Sequence, residues 1–126
     1  MDSNPNIWDL NPFINDLEAL LEKPLNYIIL NFPFAYLHIK TSKYIDLTVY
    51  IDTPLDIALL RKIKRDFKNS TVEEIISDLD HYQEIARLGY LNMLRTIKPN
   101  SDLIVDGTLP ISKITEIIIQ TIREIE

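Results

Sequence analysis

The sequence predicts an α/β domain: a parallel sheet of three short strands with helices on its flanks. Three observations carry this expectation. Apolar runs at 27–30, 47–51 and 103–105 are short and rich in β-branched and aromatic residues. Between and after them lie longer stretches with apolar residues at helical spacing. Cap and turn residues mark the junctions. Strands that alternate with helices are joined by crossovers, and crossovers give parallel pairing.

Each element has its own warrant. Residues 1–10 read as a loop. Asn11 suits an N-cap and Pro12 the first turn of a helix whose apolar face is Phe13, Ile14, Leu17, Leu20 and Leu21. Lys23-Pro24 closes it. The run Tyr27-Ile28-Ile29-Leu30 suits a strand buried on both faces, and Asn31-Phe32-Pro33-Phe34 is the loop leaving it. Leu47, Val49 and Ile51 form the second strand. Thr53 is placed to cap the next helix, with Pro54 at its first position and Asp56 as the returning acid. That helix buries Leu55, Leu59, Leu60, Ile63 and Phe67. Ser70 and Glu73 make a capping box ahead of a long apolar periodicity from Val72 to Ile97, as one helix or two broken near Gly89. Pro99 ends it. Leu103-Ile104-Val105 is the third strand, followed by Asp106-Gly107. Pro110 opens a last helix with Ile111, Ile114, Ile118, Ile122 and Ile125 on one face.

The 126 residues have the size of one domain, 1–126, with 46% hydrophobic and 25% charged residues. A net charge of −6 argues against non-specific nucleic-acid binding, which needs a basic footprint. The absence of cysteine excludes disulfides and thiolate zinc sites within these residues and fits a cytoplasmic location. No apolar run reaches the ~20 residues of a membrane helix, so no membrane partner is expected.

Against this acidic background one feature stands out. Arg61, Lys64, Arg65 and Lys68 fall at i, i+3, i+4 and i+7 and line one side of the helix after the second strand. Such a stripe is ordinarily a solvated face; it is also the form of an anion site.

The whole phrase VYIDTPLDIALLRKIKRD resembles the passage from core strand to lid helix in the uridine-kinase-like P-loop kinases. YIILNFPFAYLH resembles the family's third strand and its Walker-B-like exit. SDLIVDGTLPISKITEII resembles its fifth strand and closing helix. Order and spacing agree over nearly all of the chain. The fold implied is the later part of a P-loop-kinase sheet. The resemblance implies that Arg61 and Arg65 are lid contacts to the transferring phosphoryl group. Lys62 stands where members usually have another Arg, and lysine lacks the bidentate fork. Asn31 takes the Walker-B-like position, where members commonly place an acid. Asp106, Gly107 and Thr108 form the loop beside the nucleotide base. Intact relatives, with ATP and Mg²⁺, transfer a phosphoryl group to a small hydroxyl acceptor.

The family's phosphate cradle, G-x-x-x-x-G-K-[ST], does not occur in these residues, whose glycines are Gly89 and Gly107. The resemblance therefore implies a chain that begins after the family's first strand, P-loop, first helix and second strand. No cofactor is expected for it alone, and a non-catalytic assembly module derived from the kinase fold is the alternative. In the family the first strand lies between the third and fourth, so its loss leaves a gap. Three repairs follow: direct pairing of the Tyr27 and Leu47 strands, a second copy of the chain by strand exchange or sheet joining, or a missing N-terminal segment.

Other residues carry ordinary readings. Asp106-Gly107 also suits a tight turn with glycine at positive φ. Trp8-Asp9 loosely resembles the acceptor region, and Asp9 equally suits a helix-preceding acid. His38 and His81 lack any partnering acid-His spacing and read as satisfied or surface histidines. Asp78, Asp80 and Glu84 read as a solvated face, and no metal site is expected.

Overall fold

Two strands, β1 (Val49–Asp52) and β2 (Leu103–Asp106), form the sheet of the computed structural model, which describes residues 4–126. They run parallel, with Val49 opposite Leu103, Tyr50 opposite Ile104, Ile51 opposite Val105 and Asp52 opposite Asp106. The helices are α1 (Asn11–Leu21), α2 (Ile39–Ser42), α3 (Leu55–Asp66), α4 (Val72–His81), α5 (Arg87–Thr96) and α6 (Ile111–Ile125). The α/β class and the parallel sense agree with the sequence expectation.

The register is fixed before the strands begin. The Thr48 backbone N–H donates to Asp102 Oδ2 at 2.9 Å, and the Asp102 N–H donates to Thr48 Oγ1 at 2.9 Å. The Leu103 N–H reaches the Thr48 carbonyl at 3.1 Å. Tyr36 adds its hydroxyl to the same Asp102 oxygen. One carboxylate thus ties the loop before β1 to the start of β2. It has no chain-local explanation, since the two residues are far apart in sequence.

The third expected strand is absent: residues 27–30 are irregular chain, and only two strands occur among the described residues. Ile29 is 94% exposed and Tyr27 is exposed. An apolar run becomes a strand only when a neighbour completes its ladder and covers its faces. Here β1 pairs with β2 and not with this segment. Direct pairing of the Tyr27 and Leu47 regions is therefore not the repair adopted.

Several boundaries also move. Asn11 is the first residue of α1 and Leu10 its N-cap, without a side-chain cap bond; just before it, Asp9 Oδ1 accepts the Asn11 N–H at 3.0 Å. Ile14 and Leu17 are buried, while Leu20 and Leu21 point into solvent as α1 ends. The N-cap of α4 is Thr71, not Ser70: its side chain accepts the Glu74 N–H at 3.2 Å. The long helical stretch is interrupted at Tyr82–Ala86 by a π-helical turn, not at Gly89. The Tyr82 and Tyr90 rings lie 6.1 Å apart across it. On α6 the half-buried face is Ile114, Ile117, Ile118 and Ile122, and Ile111 and Ile125 are exposed.

The buried residues gather in two places. Ile14, Leu17, Ala35, His38 and Thr41 belong to the N-terminal part, and Thr48, Ile97 and Val105 surround the sheet. An aromatic chain strengthens the first group: Phe13 stacks on Phe32 at 5.3 Å, and Phe32 meets Phe34 edge-on at 5.6 Å. Ala35 holds φ at 49°, a left-handed conformation that an L-residue adopts only when its neighbours enforce it.

Hydrogen bonds from the Tyr36 hydroxyl and the Thr48 N–H hold the Asp102 carboxyl below the usual carboxylate range. A lowered folded value means that this contribution is complete above the unfolded carboxylate pKa of ~3.9 and is lost as pH falls through the folded value. Asp102→Ala is expected to lower stability at pH 7 by about 1 kcal/mol, the worth of one hydrogen bond. It is also expected to flatten the acid limb below about pH 4. Thermal melts followed by circular dichroism between neutral and acid pH measure both.

Candidate functional site

Parallel strands deliver their loops to one edge, and the carboxyl edge of this sheet collects the chemistry. β1 ends at Asp52, and Thr53-Pro54 turns the chain directly into α3. β2 ends at Asp106, and Gly107-Thr108 leads towards α6. The Gly107 N–H donates to the Asp52 carbonyl at 2.8 Å and extends the ladder by one rung.

Arg61 lies two turns along α3. Its Nη1 donates to the Gly107 carbonyl at 2.7 Å. The lid-like helix and the 106–108 loop are thereby joined by a cation. The Asp106 carboxylate accepts the Thr108 hydroxyl at 2.7 Å and the Thr108 N–H at 2.9 Å, which hold its pKa below the usual range. Asp52 pairs with Lys98 at 2.8 Å, both side chains about one-third exposed.

The basic stripe separates into members with different employment. Arg65 forks onto the neighbouring Asp66 at 2.7 and 3.1 Å, and that hydrogen bonding keeps Asp66 low in pKa. Lys62, on the flank of the stripe, pairs with Asp78 of α4 at 3.2 Å. Asp78 is therefore half-buried and paired rather than a member of a solvated acidic face. Lys64 and Lys68 are exposed and have no ion pair among the described residues.

The other sequence candidates lie elsewhere. Asn31 is in exposed irregular chain, and no hydrogen bond among the described residues ties it to Arg61 or the 106–108 loop. His38 is buried and satisfied: Nδ1 lies 3.1 Å from Thr41 Oγ1, and Nε2 lies 3.1 Å from the Trp8 carbonyl, to which it donates. Asp9 precedes α1 and accepts the N–H of its first residue, Asn11. Sequence reasoning missed Lys98 and Asp102 altogether. Their signal lies in long-range pairing, which local spacing does not carry.

The donor set does not make a Mg²⁺ site. Asp52 and Asp106 oppose each other in register, yet one is held by Lys98 and the other by Thr108. No group of three or more His, Asp or Glu among the described residues is placed to hold a metal ion. What the edge offers is a cation and backbone groups, which suit an anion rather than a cation.

Comparison with known proteins finds relatives that share part of their length with this chain. A uridine kinase from Borreliella burgdorferi is 32% identical over 108 residues, 82% of this chain and 51% of that protein. The chain is a homologue of the uridine kinases. A uridine kinase from Sodalis glossinidius is 32% identical over 88 residues, 70% of this chain and 41% of that one. One from Borrelia duttonii is 32% identical over 90 residues, 70% of this chain and 42% of that one. The chain spans about half the length of the curated relatives it matches. No family model matches it. No solved structure matches it.

In this uridine kinase homologue the glycine of the candidate loop has a steric purpose. Its φ is not positive, contrary to the expected turn. A Cβ built on Gly107 falls 1.8 Å from Thr53 Oγ1 and 3.1 Å from Ile51 Cγ2. Thr53, expected as a helix cap, instead packs its side chain against this glycine, and α3 has no side-chain cap. Gly107→Ala is expected to destabilise the chain by about 1–3 kcal/mol through overpacking. Thr53→Ala in the same molecule should recover part of the loss. A double-mutant cycle in urea measures the coupling, and strictly additive losses would mean that the two residues do not press on each other.

Proposed function

We propose that this chain is the lid-bearing portion of a uridine-kinase-like phosphotransferase. The reaction is transfer of the γ-phosphoryl group of ATP to the hydroxyl of a nucleoside such as uridine. Such transfer needs little covalent chemistry from the protein; it needs positioning and neutralisation of phosphate charge. Arg61 and Arg65 are the phosphate contacts, and the Asp106-Gly107-Thr108 loop borders the nucleotide. The observation that carries this reading is the Arg61–Gly107 hydrogen bond of 2.7 Å. It puts a permanent cation of the lid helix against the strand-end loop where open α/β sheets take their ligands. Homology to proteins named uridine kinase supports the same class.

The chemistry divides between what residues 1–126 hold and what they lack. They supply arginines able to fork onto phosphate oxygens. Their sequence holds no glycine cradle for the β- and γ-phosphates, and no carboxylate cluster for Mg²⁺ occurs among the described residues.

Arg61 and Arg65 are held differently at rest. Arg61 rests on a carbonyl, a neutral acceptor that an incoming phosphate outcompetes. Arg65 rests on Asp66, and an incoming phosphate has to displace that carboxylate.

Residues 1–126 alone are expected to make no uridine monophosphate from ATP, Mg²⁺ and uridine. Product that disappears on Arg65→Ala would overturn that division. The phosphate role has its own test. In a nuclear magnetic resonance titration with ATP, the Arg61 Nε–H and Gly107 amide signals should move together, more weakly as salt rises. Arg61→Ala should abolish the Gly107 response. Signals that stay still at millimolar ATP would remove the lid reading.

A further inference from the structure

The two strands end on matched carboxylates. Asp52 and Asp106 are register partners, so their side chains leave the same face of the sheet, on strands about 4.8 Å apart. Like charges directly opposite each other repel. Both stand at the carboxyl edge, beside the loop that Arg61 reaches. An anion arriving there meets this pair as well as the arginine. Asp106 accepts the Thr108 hydroxyl and N–H, neutral donors that leave its charge in place. Asp52 is the member that finds a cation.

That cation is Lys98, and its position is built. Ile97 is buried beside the sheet, and Lys98–Asn100 then form a 3₁₀ turn around Pro99. The Ser101 hydroxyl donates to the Ile97 carbonyl at 2.9 Å, and the Ser101 N–H donates to the Lys98 carbonyl at 3.2 Å, which closes the turn. From there the Lys98 ammonium meets Asp52 Oδ2 at 2.8 Å, 46 positions away in sequence. The Asp52 carbonyl accepts the Gly107 N–H at 2.8 Å, and the Gly107 carbonyl accepts Arg61 Nη1 at 2.7 Å. One connected path therefore runs from Lys98 through both strand ends to the lid helix. The field of the pair reaches Tyr50 on β1: burial first and the Asp52 carboxylate second push its phenol up, and Lys98 opposes them.

We infer that Lys98 is a positioning residue of the anion site, a cation that cancels Asp52 so that Arg61 presents its charge to phosphate rather than to the strand-end carboxylates. With Lys98 in place two cations balance two carboxylates at this edge; without it the edge is net negative and repels a polyphosphate. A surface ion pair of this kind adds little to stability. Its worth here is the sign of the field at the edge. The inference rests on the reading of this edge as a phosphate site and goes beyond it, since Lys98 lies outside the lid helix and acts through Asp52.

The test titrates ATP into residues 1–126 and follows the Arg61 Nε–H signal by nuclear magnetic resonance, with circular dichroism to check the fold of each variant. Lys98→Met removes the charge and keeps the stem. It should bind ATP about fivefold more weakly, and the gap should narrow as salt rises. Lys98→Arg should bind like the wild type. Lys98→Met combined with Asp52→Asn should recover most of the loss, a rescue that a purely structural ion pair would not give. Asp52→Asn alone, which leaves Lys98 without its partner, should bind more tightly than the wild type. A second readout needs no nucleotide. The Asp106 carboxyl, followed by its carbon-13 signal, should titrate at a higher pH in Lys98→Met than in the wild type, because an uncompensated Asp52 then stands beside it. Equal ATP affinity in the wild type and Lys98→Met overturns the inference and leaves the lid reading standing. A double variant as weak as Lys98→Met, or an Asp106 titration that does not move, overturns it likewise. A wild-type chain that stays silent at millimolar ATP removes the phosphate reading and this inference with it.

Discussion

The parallel pairing of β1 with β2 is the constraint on which the rest depends. Strands of four residues are short for an independent sheet, and a two-stranded sheet has little stability of its own. This one is held at both ends. At the start, Thr48 and Asp102 exchange backbone and side-chain hydrogen bonds, with Tyr36 joining the same carboxylate. At the finish, Gly107 bonds the Asp52 carbonyl and packs its bare Cα against Thr53. A slip of one residue would move Val105 out of the interior and bring Asp106 in. The end clamps make that slip costly.

From this register the site follows. Because Asp52 and Asp106 end together, the turn into α3 and the turn towards α6 leave from one edge. α3 then needs only two turns to bring Arg61 onto the Gly107 carbonyl. Lys62 fastens the same helix to α4 through Asp78. Neighbouring positions on one helix thus serve separate ends: Lys62 anchors, Arg61 reaches across the loop, and Lys64 and Lys68 stand in solvent. A stripe of four equivalent cations is the wrong picture of this surface. The helix has a fastened side and a side facing the strand ends.

Legibility in the sequence followed the range of the interactions. The strand at 103–105, the helix from Leu55 and the closing helix from Ile111 could be read because their signals are local: β-branched runs, helical spacing and proline at the starts. The segment 27–30 could not be read correctly, because its local signal is that of a strand and its fate depends on a neighbour. The cap of α4 shifted by one residue, from Ser70 to Thr71, between two overlapping motifs that both satisfy the pattern. Asp102 and Lys98 were invisible. Each acts on a residue more than forty positions away.

By itself the sequence determined the α/β class, the alternation that makes the sheet parallel, and the kinship carried by the order of its phrases. Those properties are sums of near-neighbour preferences and of residue identities in series. Tertiary structure alone decided that only two strands pair, that Gly107 is a glycine for want of space and not for its φ, and that Arg61 meets the 106–108 loop. Each of these is settled by contact between segments distant along the chain. A strand without a neighbour is irregular chain, and a glycine's purpose is known only from what stands beside it.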